Sequence, residues 1–182
     1  MDIREVGKWH IRPLGERDTI KAFRCGDSDI DDYIINESAL YQKEMLSVNY
    51  VLESDTECLM AFFSLHNDRV CVTDFESSTA FNKFRRKRFV QAKRHKGYPA
   101  VKIGRLGVAE DMRRHGLGSI ILDFIKAYFV NHQRTGCRFL TVDAYIQSIN
   151  FYEKNGFTRM NSDTSGNTCL MYFDLKDFNG KL

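Results

Sequence analysis

The 182-residue sequence has only two prolines, no low-complexity tract and no long apolar run. A membrane-spanning helix needs roughly 20 consecutive apolar residues, and the first five residues contain no apolar stretch typical of a secretory signal. Membrane and secreted proteins are therefore excluded, and we expect a cytoplasmic protein with no membrane partner. Since domains reach ~250 residues, we predict a single domain over residues 1–182.

Cysteines are few, odd in number and widely spaced, and the sequence has no CxxC pair and no Cys/His cluster at zinc-ligand spacing. Structural zinc sites need such closely spaced ligands, so we predict no metal. In a chain without a secretory signal, scattered thiols are expected to be reduced and mostly buried. The cysteines are Cys25, Cys58, Cys71, Cys137 and Cys169.

Acidic residues are absent from residues 77–109, which carry ten Lys or Arg. This segment has a net charge of +10, and the rest of the chain, with 17 basic and 24 acidic residues, has a net charge of −7. Such segregation favours a polyanionic partner, either a phosphorylated cofactor or a nucleic acid. A solvated basic helix face is the alternative.

The apolar pattern predicts a mixed α/β fold. Residues 117–129 are apolar at i, i+3, i+4, i+7, i+8, i+11 and i+12, which indicates an amphipathic helix. Further helices are predicted over residues 27–44, 79–96 and 148–155. Strands are predicted over residues 10–14, 48–53, 57–66, 70–73, 100–108, 138–144 and 168–175.

Residues 113–118, with the sequence RRHGLG, lie between the strand that ends at Val108 and the helix that starts near Leu117. A loop of this kind directs several backbone N–H groups at one anion, and the helix dipole adds positive potential. Gly116 and Gly118 allow a phosphate to approach the backbone closely. The segment is neither a Walker loop nor a dinucleotide fingerprint, because GK[ST] and GxGxxG are absent.

The spacing LGV-x4-RxxGxG over residues 106–118, followed by the apolar helix, resembles motif A of the GNAT N-acetyltransferase superfamily. Residues 150–157, with the sequence NFYEKNGF, look like its motif B. Upstream, Phe23-x-Cys25-Gly26 and the following helix are loosely similar to the tRNA-acetylating toxin subfamily. The resemblance implies an acyl-CoA N-acyltransferase fold: a central mixed sheet of six to seven strands, with splayed parallel strands, flanked by helices.

The resemblance also implies acetyl-CoA as cosubstrate, with pantetheine on the strand backbone at residues 106–108 and pyrophosphate on residues 113–119. Arg114 stands where the family often has glycine, and Glu110 where it often has proline. Neither change removes a backbone N–H from the loop. The residues thereby assigned to the cofactor are Leu106, Gly107, Val108, Arg113, Arg114, His115, Gly116, Leu117, Gly118, Ser119 and Asn150.

Acyl transfer to an amine requires a polarised carbonyl, a free-base amine and a proton for the departing thiolate. In the family, the residue matching Tyr152 lies near the sulfur, and a phenol with a pKa near 10 can protonate or hydrogen-bond to a thiolate. The alternative is a core aromatic beside Phe151. The general base is left open, with Asp74, Glu76, Asp143, His66 and a chain of waters as the candidates.

Three functions remain open at this point. The first is a cytoplasmic N-acetyltransferase in which a primary amine attacks acetyl-CoA directly in a ternary complex, since no cysteine lies in either motif. The second is toxin-like acetylation of aminoacyl-tRNA, and the third is a non-enzymatic acetyl-CoA or nucleic-acid-binding module. The acceptor is accordingly a small molecule, a peptide or charged tRNA, and assembly into a homodimer is left open.

Overall fold

The computed structural model describes residues 4–6, 9–15, 18–55, 58–90, 95–132, 135–161 and 166–179. These described residues form eight strands: β1 (Arg4–Val6), β2 (Trp9–Pro13), β3 (Val48–Ser54), β4 (Leu59–Cys71), β5 (Gly97–Val108), β6 (Phe139–Tyr145), β7 (Thr158–Arg159) and β8 (Thr168–Asp174). The α-helices in the same residues are α1 (Ser28–Asp32), α2 (Ser38–Lys43), α3 (Ser78–Arg88), α4 (Leu117–Asn131) and α5 (Ile149–Lys154).

The chain divides into two compact units, each built from separate segments of sequence. The first unit comprises Met1–His66 and Ile103–Leu122, and the second comprises Asn67–Lys102 and Asp123–Leu182. Strands β4 and β5 contribute residues to both units. A single domain over the whole chain stays a prediction.

In the first unit the strand order is β1-β2-β3-β4-β5, and the first three pairings are antiparallel. Asp27 caps α1 by accepting from the N–H groups of Asp29 and Ile30. One π-helical segment, Tyr33–Glu37, joins α1 to α2. The buried core of this unit contains Phe23, Tyr33 and Phe62.

In the second unit the strand order is β4-β5-β6-β8-β7. Helix α4 connects β5 to β6, and neighbouring strands joined by a crossover helix run parallel. Strand β8 pairs antiparallel with both β6 and β7. The sheet is therefore mixed, as predicted, and the core of this unit is rich in aromatic rings, including Phe84, Phe139 and Tyr172.

Helix α3 and strand β4 have ends that differ from those predicted from the sequence. Helix α3 stops at Arg88, whereas the sequence predicted a helix to residue 96, because Phe89 is extended (φ −130°, ψ 131°) and stacks on Tyr98 with ring centroids 4.0 Å apart. Residues 91–94 lie outside the described part of the chain. The strands predicted over residues 57–66 and 70–73 are joined in one continuous strand, β4, which ends at Cys71 before a 3₁₀ turn over Val72–Asp74.

Asp174 joins two arginines of the second unit at the edge of its aromatic core. This buried carboxylate accepts from Arg138 at 2.6 and 2.9 Å and from Arg88 at 3.2 Å. Arg88 also donates to the hydroxyl of Tyr172 at 2.9 Å and lies over the ring of Phe84. One residue of the basic segment therefore has a structural role.

An Asp174→Asn substitution is expected to lower the free energy of unfolding by about 2–4 kcal/mol, because two partly buried guanidinium groups lose their counter-ion. Urea denaturation measures this loss. Asp143→Asn is the matched control, since Asp143 is half exposed in its ion pair with Lys102 at 2.8 Å and should contribute less than about 1 kcal/mol. Equal destabilisation by both substitutions would contradict the assignment.

Candidate functional site

The loop between β5 and α4 lies in the first unit. A 3₁₀ turn, Glu110–Met112, follows β5, and its N–H groups are engaged: Glu110 donates to the carbonyl of Arg24 at 3.0 Å, and Met112 to that of Ala109 at 2.9 Å. In contrast, five consecutive N–H groups, those of residues 114–118, have no acceptor among the described residues. The last two belong to the first turn of α4. This is the arrangement of donors that binds an anion at a helix N-terminus.

Gly116 turns the chain into α4. Its φ of +77° is in the left-handed region, and a Cβ placed on it would have no atom of the described protein within 4 Å. The space beside Gly116 is therefore not filled by atoms of the described residues. The following residue, Leu117, is 1% exposed and anchors the start of the helix in the core.

The N-terminal segment braces this loop. The guanidinium of Arg113 donates to the carbonyl of Cys25, and Arg24 pairs with Glu110 at 3.4 Å. The backbone N–H of Cys25 is in turn held by Asp31 at 2.7 Å. The side chain of Arg113 thus fixes the loop to the start of α1, a contact that no spacing in the sequence indicated.

The other predicted cofactor residues occupy different environments. Arg114 and His115 are exposed beside the loop, whereas the N–H of Ser119 donates to the carbonyl of Gly116 at 3.0 Å and is not available to a ligand. On β5, Leu106 and Val108 are half-buried, and Gly107 is buried against Phe62 and Phe23. Asn150 is exposed in α5 of the second unit.

Tyr152 lies on α5 in the second unit and is 6% exposed. Its ring packs against those of Phe151 and Phe157, with centroids 5.0 and 5.4 Å away. Burial raises the pKa of its phenol far above the ordinary range. No described residue hydrogen-bonds to the phenol oxygen. The phenol therefore stays protonated at neutral pH, and its proton is not committed to an acceptor among the described residues.

Two of the candidate bases are already engaged in local structure. Asp74 accepts from the N–H of Cys71 at 2.7 Å, and Asp143 pairs with Lys102. Glu76 lines a shallow cavity of about 380 Å³ together with Arg159. His66 lies beside Gly104 of β5 in the first unit. We therefore assign no base to a side chain.

Two of the cysteines are unsuited to nucleophilic catalysis. Burial, reinforced by a hydrogen bond to Asp31, raises the pKa of the Cys25 thiol to about 12. Burial likewise raises the pKa of Cys137 to about 11. At neutral pH neither supplies the thiolate that a covalent acyl relay needs.

Within the described ranges, no group of three or more His, Cys, Asp and Glu side chains is arranged to hold a metal ion. None of the helices in these ranges is both long and apolar enough to cross a membrane.

The GNAT acetyltransferase domain model matches residues 67–159, just over half of the chain. The chain therefore belongs to the GNAT acetyltransferase family and is, by class, an acetyl-CoA-dependent N-acetyltransferase. The family and fold inferred from the two motifs are confirmed. No curated protein sequence matches the chain significantly.

Several solved structures share the fold. A tyrosine-to-phenylalanine variant of KacT has a TM-score of 0.75 at 19% identity, covering 93% of this chain and 96% of that one. AtaT complexed with acetyl-methionyl-tRNAfMet has a TM-score of 0.72 at 16% identity, covering 92% and 95%. AtaTR bound with acetyl-CoA has a TM-score of 0.72 at 17% identity, covering 93% and 95%.

Proposed function

We propose that this N-acetyltransferase transfers the acetyl group of acetyl-CoA to the α-amino group of an aminoacylated tRNA. The observation that carries the acetyl-CoA part of the proposal is the run of five N–H groups at residues 114–118 that have no acceptor among the described residues, next to the open space beside Gly116. A pyrophosphate fits such a loop, because its oxygens accept the N–H groups and its charge suits the helix N-terminus. Arg114 and His115 are exposed beside it and add positive charge or donors.

Acetyl-CoA supplies a thioester carbonyl for the amine to attack and a thiolate that needs a proton. In our proposal a backbone N–H of Gly107 or Val108 polarises this carbonyl, and the phenol of Tyr152 donates the proton. Direct attack in a ternary complex is supported by the raised pKa values of Cys25 and Cys137, which disfavour an acyl-cysteine relay. The amine would lose its own proton to solvent.

The proposed tRNA acceptor rests on the exposed part of α3. Lys83, Arg86 and Lys87 are exposed, and no described acidic side chain pairs with them. Unpaired cations that project from one helix are suited to phosphate contacts. Of the other two basic residues of α3, Arg88 is tied to Asp174, and Arg85 is half-buried and donates to the carbonyl of His95. The complex of AtaT with an acetylated aminoacyl-tRNA lends support by shared fold.

Release of free CoA thiol from acetyl-CoA tests this proposal. The acceptor panel contains bulk aminoacylated tRNA, the same tRNA after deacylation, a set of small primary amines and a set of peptides. We expect release with the aminoacylated tRNA alone. Release with a small amine or a peptide instead would replace the proposed acceptor, and cofactor binding without any release would favour the non-enzymatic module.

The triple variant Lys83→Gln, Arg86→Gln, Lys87→Gln is expected to bind tRNA more weakly and with less dependence on salt. Each lost phosphate contact reduces the slope of log affinity against log salt by ~0.7–0.9, so three contacts correspond to about 2–3. Filter binding of tRNA at several salt concentrations measures the slope. Affinity for acetyl-CoA should be unchanged, because these residues lie outside the loop.

Neutralising Lys43, Arg69 and Lys176 instead provides the control, since these three side chains are also exposed and the net charge changes equally. If binding depends on net charge rather than on α3, the two triple variants will show the same loss. That result would contradict a tRNA surface on α3.

A further inference from the structure

Lys126 is a buried lysine in the second unit. It is 4% exposed, and its neighbours in α4, Ile125 and Ala127, are 1% and 0% exposed. Burying an ammonium group is costly unless it is paired and hydrogen-bonded, and an apolar side chain of similar size often gives equal or greater stability. The presence of a lysine here therefore calls for a role other than filling the core.

Among the described residues, the ammonium of Lys126 has one acidic partner and one backbone partner. It lies 3.0 Å from the carboxylate of Asp123, which is exposed, and donates to the main-chain carbonyl of Asn155 at 3.0 Å. The rings of Phe173 and Phe178 lie 4.7 and 5.9 Å from it. The contact with Asn155 connects α4 to the end of α5.

Asn155 is the C-cap residue of α5, the helix that carries Tyr152. Gly156 follows with a φ of +83° and donates to the carbonyl of Glu153 at 3.0 Å, while Phe157 donates to the carbonyl of Tyr152 at 3.0 Å. These two bonds form a Schellman motif, and the Tyr152–Phe157 ring contact is its usual hydrophobic pair. Tyr152 is thus fixed through its carbonyl and its ring by the same cap.

We propose that Lys126 is a positioning residue for the acetyl transfer. By holding the carbonyl of Asn155, its ammonium fixes the C-terminal cap of α5 and thereby the direction of the Tyr152 phenol. A cation also suits the negative end of a helix. Since α5 has only six residues, its orientation depends strongly on contacts at its ends. The proposal rests on the proposed function of Tyr152 as proton donor.

Replacing Lys126 with methionine removes the ammonium but retains the length and apolar stem of the side chain. Misplacing a catalytic group by about 1 Å costs up to roughly 100-fold in rate, so we expect kcat to fall roughly 10- to 100-fold. The KM for acetyl-CoA should not change, because the loop at residues 113–118 is untouched. Lys126→Arg, which retains a cationic donor, should restore part of the rate.

A double-mutant cycle with Tyr152→Phe separates positioning from a general structural defect. The rate measured is thiol release from acetyl-CoA with bulk aminoacylated tRNA, or with the panel amine if one proves to be the acceptor. We expect Lys126→Met to slow the wild-type enzyme but to have little further effect on Tyr152→Phe. Equal slowing in both backgrounds, or no slowing in either, overturns the proposal.

Asp123→Asn is the matched control, because it removes the exposed partner of the same ammonium and leaves the bond to Asn155. It should retain close to the wild-type rate, and slowing as large as that of Lys126→Met would overturn the assignment to Asn155. If Lys126→Met does not fold, Lys126→Gln enters the same cycle. If the Tyr152→Phe variant turns over slowly but the Lys126→Met variant keeps the wild-type rate, only the role of Lys126 is refuted. If the Tyr152→Phe variant itself keeps the wild-type rate, the proposed role of Tyr152 is refuted as well.

Discussion

A Gly116→Val variant is expected to lose nearly all affinity for acetyl-CoA. A β-branched side chain at this position occupies the open space beside Gly116, and it also disfavours the φ of +77° in the loop whose N–H groups at residues 114–118 have no described acceptor. A hydrogen bond to a charged group contributes about 1.5–3 kcal/mol, so losing two of them weakens binding roughly 10²- to 10⁴-fold. Isothermal titration calorimetry with acetyl-CoA measures the loss.

Two control variants separate steric blocking of the phosphate site by the new side chain from backbone strain at Gly116. Gly136→Val introduces the same side chain at another glycine whose Cβ would meet open space, away from the loop, and should bind acetyl-CoA normally. Gly116→Asn places a side chain that tolerates the left-handed conformation at the same position, so it should weaken binding with little loss of stability. Unchanged affinity in a folded Gly116→Val variant would exclude residues 114–118 as the phosphate site.

The second half of the fold was largely predictable from sequence, because its signals are local. Helix α4 has a repeating apolar stripe, and Gly156 follows the C-cap of α5 in the left-handed conformation that favours glycine. The end of α3 was not predictable, since Phe89 leaves the helix to stack on Tyr98, which is nine residues further on. The π-helical segment after Asp32 likewise has no recognisable sequence signal.

In the candidate site, too, local sequence patterns were predictable and long-range contacts were not. The glycine spacing at residues 113–118 indicated a phosphate loop, and the structure leaves the N–H groups of residues 114–118 without described acceptors. The brace between Arg113 and the carbonyl of Cys25 spans 88 residues of sequence and involves a main-chain acceptor, so side-chain identity does not indicate it. The contact from Lys126 to Asn155 escaped prediction for the same reason.

A Tyr152→Phe variant is expected to lower kcat while leaving acetyl-CoA affinity unchanged. The substitution retains the ring that packs against Phe151 and Phe157 and removes only the hydroxyl. General acid catalysis contributes ~10²–10⁴-fold, and we expect a loss within this range or somewhat below it. Because burial raises the pKa of Tyr152, the wild-type enzyme should retain its proton donor up to and beyond pH 10, the ordinary pKa of a phenol.

Initial rates of thiol release from pH 6 to 10, with calorimetry on the same preparations, measure both quantities. Tyr128→Phe is the matched control, because Tyr128 is a half-buried tyrosine of α4 whose hydroxyl has no hydrogen bond to a described residue. A wild-type rate for Tyr152→Phe would assign Tyr152 to core packing. A loss of activity in the wild-type enzyme between pH 8 and 9.5 that disappears in Tyr152→Phe would also contradict the expectation, because a phenol with a raised pKa does not ionise there.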